Sequence, residues 1–274
     1  EPETERQPMK RKVLISSSPE PETTPVVPTL NLLEQMQREL TGHESVGLGF
    51  ARAYALAGNF KEASAILDRL IPTLGEDYRK VRSICEYLET SDDISGLVHI
   101  LEKLIDKPIH KRYALLKLMQ HRSASAPIED LLDWMARLSK MDDLESNFSE
   151  SYLYFELLNP QLPSPSQKLD QLIGEAKAFQ HKDDTMRTRI TLALAHLRNH
   201  SPDLALVALG RTENWRNWTD SRAAWAFISA QVFKLNHDSE KALVVSSKVD
   251  FKKMDRAERE SLQKLFPEQF PLNQ

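Results

Sequence analysis

One cysteine, eight glycines and no run of about 18 apolar residues occur in 274 positions, and each scarcity excludes something. A lone Cys85 cannot build a disulfide framework or an all-cysteine metal site. Without a long apolar run, nothing in the chain is expected to span a bilayer, and no signal-peptide core is present. Few glycines and few β-branched runs argue against strands and tight hairpins, which leaves all-α. Charge of one sign is lacking too: the net charge of −4 points away from nucleic acid or an anionic membrane as the main partner. Histidine-glutamate metal pairs, phosphate loops and nucleophile elbows are absent from the sequence. The hydrophobic share of 41% is nevertheless ample for a buried core.

What is present is a repeat. Asn59–Ile71 reads Asn-Phe-Lys-Glu-Ala-Ser-Ala-Ile-Leu-Asp-Arg-Leu-Ile, and 34 residues on, Asp93–Ile105 keeps Ile100-Leu101-Glu102-Lys103-Leu104-Ile105 against Ile66-Leu67-Asp68-Arg69-Leu70-Ile71. Every apolar position is retained and each charge keeps its sign. A further 34 residues on, Ile128–Leu138 falls on the same template. Such a period marks helical units that stack because none can bury its apolar face alone.

Organisation follows from this. Residues 1–28 hold six of fifteen prolines with mixed charge and few large apolar residues, so a disordered tail or linker is expected. Residues 29–266 are expected to form one array of about six helix pairs. These run over roughly 44–73, 78–105, 111–139, 144–180, 184–210 and 220–248, between capping helices at 29–41 and 254–266. Residues 267–274 remain as a short tail. The second capping helix is expected to close the end of the array with its charged face outward. Because Glu1 rather than Met opens the chain, a processed product or a piece of a longer protein is expected. A cytoplasmic location is favoured, with the soluble region of a longer anchored or exported protein as the alternative.

The first unit carries the sharpest signature. Tyr54 in one helix, a turn at Gly58-Asn59, Phe60 opening the next helix, Ala63 at the crossing and Leu67 beyond it resemble a tetratricopeptide repeat. The second unit has Leu88, Asp92, Ile94 and Leu97 at those places, and the third Arg122, Ala126, Ile128 and Leu131. The resemblance implies a right-handed α–α superhelix of antiparallel hairpins, whose first helices line a concave groove. It also implies a non-catalytic scaffold that takes a protein or peptide.

Candidate contacts are read on that basis. Basic residues of the first helices, among them Arg52, Arg79, Arg82, Lys117 and Arg187, would suit an acidic peptide or a carboxylate. Trp215 and Trp218, with Arg211, Arg216 and Arg222 nearby, form either a partner anchor or a hydrophobic staple at a helix start. Two other functions stay open: a membrane-tethered assembly factor joined through the N-terminal linker, and an RNA-binding array using the same basic helices. No cofactor, metal or catalytic residue is expected. His196 and His200, four apart on one face, read as cap or surface residues, while Cys85 reads as core. The acidic pairs Asp92-Asp93, Asp142-Asp143 and Asp183-Asp184 read as helix caps.

Overall fold

A computed structural model describes residues 44–74, 77–141, 146–210 and 222–269. Among these residues there are thirteen α-helices, two short 3₁₀ turns and no strand. The described residues up to Leu70 and those from Ile71 onward form two compact units. The expected capping helix at 29–41 lies outside the described residues, as do Asp142, Asp143, Trp215 and Trp218.

In the first unit, α1 (Glu44–Leu56) and α2 (Phe60–Leu74), the latter taken as far as Leu70, form an antiparallel hairpin. Leu48, Phe50, Ala51 and Tyr54 of α1 and Ala63, Ile66, Leu67 and Leu70 of α2 are buried. Gly58 turns the chain at φ 77°, a backbone region that costs glycine nothing, and the Asn59 N–H donates back to the Tyr54 carbonyl at 2.9 Å. Phe60, which opens α2, is 58% exposed.

The second unit repeats that turn with other residues. Its helices are α3 (Tyr78–Thr90), α4 (Ile94–Leu104), α5 (Lys111–Arg122), α6 (Ile128–Leu138), α7 (Ser146–Leu158), α8 (Gln167–Lys182), α9 (Met186–Arg198), α10 (Pro202–Leu209), α11 (Ala223–Leu235), α12 (Ser239–Ser246) and α13 (Arg256–Leu265). Asp92, His200 and His237 take positive φ of 58°, 53° and 61° between α3–α4, α9–α10 and α11–α12. Each is followed by an N–H that reaches five residues back at 2.9 Å: Asp93 to Leu88, Ser201 to His196, and Asp238 to Phe233. That bond satisfies a carbonyl the helix end would otherwise leave unpaired. Asp93 and Asp238 then cap the next helix, accepting from the Gly96 N–H at 2.9 Å and the Lys241 N–H at 3.2 Å.

The residue five before each of these caps is therefore one structural position. Tyr54, Leu88, His196 and Phe233 occupy it, and all four are buried. His196 is consequently a core side chain at 5% exposure, not the cap or surface residue its spacing from His200 suggests. Burial, reinforced by the charge of Lys177, holds its imidazole below the usual 6.5. Asp183 and Asp184 also differ from expectation. Thr185 caps α9 through a reciprocal bond with Thr188, and Asp184 instead pairs with Arg189 at 2.6 Å.

Consecutive helices from α3 to α12 pack as antiparallel neighbours, and the first helices α7, α9 and α11 also pack on one another. Stacked hairpins need both kinds of contact to form a continuous core. The central helix α9 is buried along almost its whole length, from Ile190 to Arg198. The long α7–α8 loop is tied down by Arg198, whose guanidinium donates to the carbonyls of Leu157, Asn159 and Leu162 at 3.0, 2.8 and 2.5 Å. A buried cation is tolerated here because three carbonyl dipoles replace its water.

A cleft of about 290 Å³ opens beside α11 and α12, with Phe227, Gln231, Ala242 and Phe251 in its lining. The last helix was expected to close the array beyond α12. Its principal helix contacts are instead with α6 and α7.

Candidate partner groove

Three elements seat α13. Its first turn is fixed by the Arg256 N–H, which donates to the Ala124 carbonyl in the α5–α6 loop at 2.9 Å. The inward face presents Ala257, Glu258, Ser261 and Leu262, all buried. Residues at i, i+1, i+4 and i+5 share one side of a helix, so a narrow stripe does the packing while Arg256, Arg259 and Lys264 stay outside. Beyond the helix, Phe266 meets Phe227 of α11 edge-to-face at 5.8 Å, and Phe251 meets the same ring at 6.1 Å.

The polar centre of this seat is Glu258, whose side chain is 2% exposed. Arg222 Nη2 lies 2.6 Å from Glu258 Oε1 and 3.2 Å from Asp255 Oδ2. The Tyr154 hydroxyl on α7 donates to the same Glu258 oxygen at 3.1 Å. Aromatic rings flank the guanidinium, with Tyr154 at 5.9 Å and Trp225 at 5.7 Å from its carbon to the ring centroids. Burial pushes the Glu258 carboxyl up and Arg222 pulls it back; burial also drives the Tyr154 phenol well up.

Arg222 and Asp255 hold the N-cap positions of α11 and α13, and neither side chain caps its own helix. Arginine is a poor N-cap, because it brings donors where the helix already has a surplus. Its presence there is explained by the pairing across to α13: a local preference gives way to a tertiary contact.

A second polar cluster lies between α3 and α5. Glu89 accepts from Lys117 Nζ at 2.7 Å and lies 3.0 Å from His121 Nε2. Tyr78 stacks on His110 at 6.3 Å and meets Tyr113 edge-on at 5.8 Å. Arg82 pairs with Glu86 at 2.7 Å one turn along α3, and Arg79 is exposed. Hydrogen bonds and charge from Lys117 hold the Glu89 carboxyl below its ordinary range.

The basic residues expected to line a groove thus have separate surroundings. Arg82 and Lys117 each face a carboxylate, Arg187 is half-buried on α9, and Arg52 belongs to the first unit, its Nε buried without a hydrogen bond. Cys85 is fully buried on α3, where desolvation pushes its thiol up to about 11, well away from nucleophile chemistry. Among the described residues no three His, Cys, Asp or Glu side chains gather as a metal set, and no helix is long and apolar enough to cross a membrane.

Sequence reasoning found the tetratricopeptide turn and missed the seat. Arg222 was noticed only as one of the arginines beside the tryptophans, and Glu258 only as part of a charged outer face. An arginine standing just before a strongly apolar helix, where Ser, Thr or Asp belongs, was the available signal.

A tetratricopeptide repeat family model matches residues 29–85, the stretch that carries the Tyr54-Gly58-Phe60-Ala63 signature. Together with thirteen helices among the described residues and the repeated left-handed turn, that match supports a tetratricopeptide-like helical repeat. The chain is a tetratricopeptide-like helical repeat protein. No curated protein matched it. Tetratricopeptide arrays serve protein–protein interaction in general and are typically not enzymes, which suggests a protein-binding role.

Proposed function

We propose that this tetratricopeptide-like protein is a non-catalytic scaffold that holds a peptide or protein partner against its first helices. The observation that carries this reading is the seat of α13. The surface formed by α6, α7 and the start of α11 accommodates a whole helix and desolvates an arginine–carboxylate pair to do so. A surface with those properties is suited to polypeptide, not to a small substrate, whose site would gather converging titratable groups in an enclosed pocket.

The partner is acidic. Support comes from the exposed Arg79 and the half-buried Arg187, together with Arg82 and Lys117, whose local carboxylates an acidic ligand would replace. Trp215 and Trp218 are proposed as a second contact because aromatic anchors carry a large share of interface energy.

Affinity capture from source cells tests the reading, using the full chain beside Arg79→Glu/Arg82→Glu and Trp215→Ala/Trp218→Ala variants with unchanged helical circular dichroism. A partner retained by the native chain and lost on charge reversal is the expected result. Retention of that partner by the charge-reversed form and its loss from the tryptophan variant moves the site to residues 215–218. Capture of nothing by any form contradicts the scaffold.

A further inference from the structure

We infer that the cleft beside α11 and α12 is a docking site for an extended peptide segment, which places one large apolar side chain in the cleft and pairs its backbone with the Gln231 amide. The inference rests on the scaffold reading and adds a contact whose chemistry differs from that of the basic residues.

The last two hairpins share a register, since His196 and Phe233 hold one structural position and Ser201 and Asp238 cap the helices that follow. Phe227, Ala230, Gln231 and Lys234 of α11 then match Ile190, Ala193, Leu194 and Leu197 of α9. Ala242 and Ser246 of α12 match Ala205 and Leu209 of α10. The six residues of α9 and α10 are all apolar and buried, and α11 packs on both of those helices. A hairpin that another hairpin stacks on needs such a face. In α11 and α12 the three leucines give way to Gln231, Lys234 and Ser246, while Phe227, Ala230 and Ala242 keep an apolar, buried floor. Val249 and Phe251 extend that floor. The result is a lined cleft of about 290 Å³ where a continuous apolar face would take a further hairpin.

Gln231 carries the assignment. It is 5% exposed and lines the cleft, and among the described residues no hydrogen bond reaches its side-chain amide. A buried amide left in that state is costly, and it offers both donors and an acceptor to an occupant. Ser246 does not answer it, because its hydroxyl donates to the Ala242 carbonyl at 2.7 Å. A docked helix would not answer it with its backbone either, since a helix spends its N–H and C=O groups internally. An extended segment keeps those groups available, and one peptide unit can meet donor and acceptor together. Beside the amide, the Phe227 and Phe251 rings, edge-to-face at 6.1 Å, wall the space for an apolar side chain. The volume falls just short of the roughly 300–1,000 Å³ of small-molecule pockets, so one side chain with its flanking backbone is the better fit.

The test titrates the full chain with uncharged pentapeptides, acetyl-Ala-Ala-X-Ala-Ala-amide with X as Phe, Leu or Gly. Nuclear magnetic resonance follows the α11 backbone amides and the Gln231 side-chain amide. Saturable shifts are expected with Phe and Leu, and binding at least tenfold weaker with Gly. Methylating the backbone nitrogens on both sides of Phe should weaken binding at least tenfold. Gln231→Leu, which installs the residue of the equivalent α9 position, should do the same without loss of helical circular dichroism. Should that spectrum change, Ser246→Trp takes its place, filling the cleft from its exposed rim. No saturable binding at millimolar peptide, equal binding of the Gly peptide, or undiminished binding by the folded variant overturns the proposal. Binding that appears only once residues 270–274 are removed makes the chain's own end the occupant and overturns it as well. Because the probes carry no charge, failure here leaves capture through Arg79 and Arg82 intact, and loss of that capture leaves the titration unchanged.

Discussion

Glu89 and Glu258 both join neighbouring helices through a basic partner, and they do so in opposite surroundings. Glu89 lies between α3 and α5 with 27% of its side chain exposed, and its partners Lys117 and His121 are also in reach of water. Glu258 keeps 2% exposure beneath Arg222 and Tyr154. At contact distances of 2.7 and 2.6 Å the two bridges are geometrically alike. Their consequences differ because water screens the first pair, while removing either member of the second leaves a charge or an acceptor with no solvent to turn to. The α3–α5 bridge therefore aligns first helices at little energetic consequence and is free to exchange partners. The α7–α11–α13 bridge decides whether the last helix is in place.

The largest effect is expected from Arg222→Ala, which strands the Glu258 carboxylate. A loss of about 3 kcal/mol should appear in chemical denaturation, or as selective loss of α13 protection if that helix leaves on its own. Combining it with Glu258→Gln should recover part of the loss, since no buried charge then remains. Leu262→Ala comes next, at about 2 kcal/mol, from lost burial and the cavity left behind.

His196 sharpens the comparison by showing burial acting on an unpaired group. Its neutral form is favoured in the folded chain, whereas the unfolded chain takes up a proton near 6.5. Stability is then fully present above pH 6.5 and falls as pH drops through that value. His196→Phe, which places in α9 the residue type of the equivalent Phe233, should flatten the melting-temperature difference between pH 7.5 and 5.5. A variant as pH-sensitive as the native chain would remove His196 from the account. The smallest effect is expected from Glu89→Gln, below about 1 kcal/mol and erased by 0.5 M salt.

The repeat was legible because the turn residues and the apolar template are local. Gly58-Asn59 and Asp92-Asp93 announce the same reversal, and the Ile-Leu-x-x-Leu-Ile stripe needs no distant contact to be recognised. His200 and His237 were harder to read in that role, since histidine takes a left-handed turn far less readily than glycine and nothing nearby marks it. The seat was not legible at all. Tyr154 and Glu258 are 104 positions apart, and no periodicity links them. Arg198 escaped for the same reason: its partners are backbone carbonyls of a loop some 40 residues upstream, and carbonyls leave no mark on side-chain pattern. Even the charged helix 256–265 misled, because its outer charges are the majority and the one inward carboxylate looks like the rest.

A pair of double-mutant cycles, Arg222/Glu258 beside Lys117/Glu89, tests most directly the claim that burial and not bridge geometry governs these two contacts. With all variants truncated to alanine and unfolded in denaturant, a coupling above about 2 kcal/mol at Arg222/Glu258 and below about 0.5 kcal/mol at Lys117/Glu89 is the predicted result. Equal couplings, or a larger one at the exposed pair, would contradict the account and detach α13 from the bridge that is said to hold it.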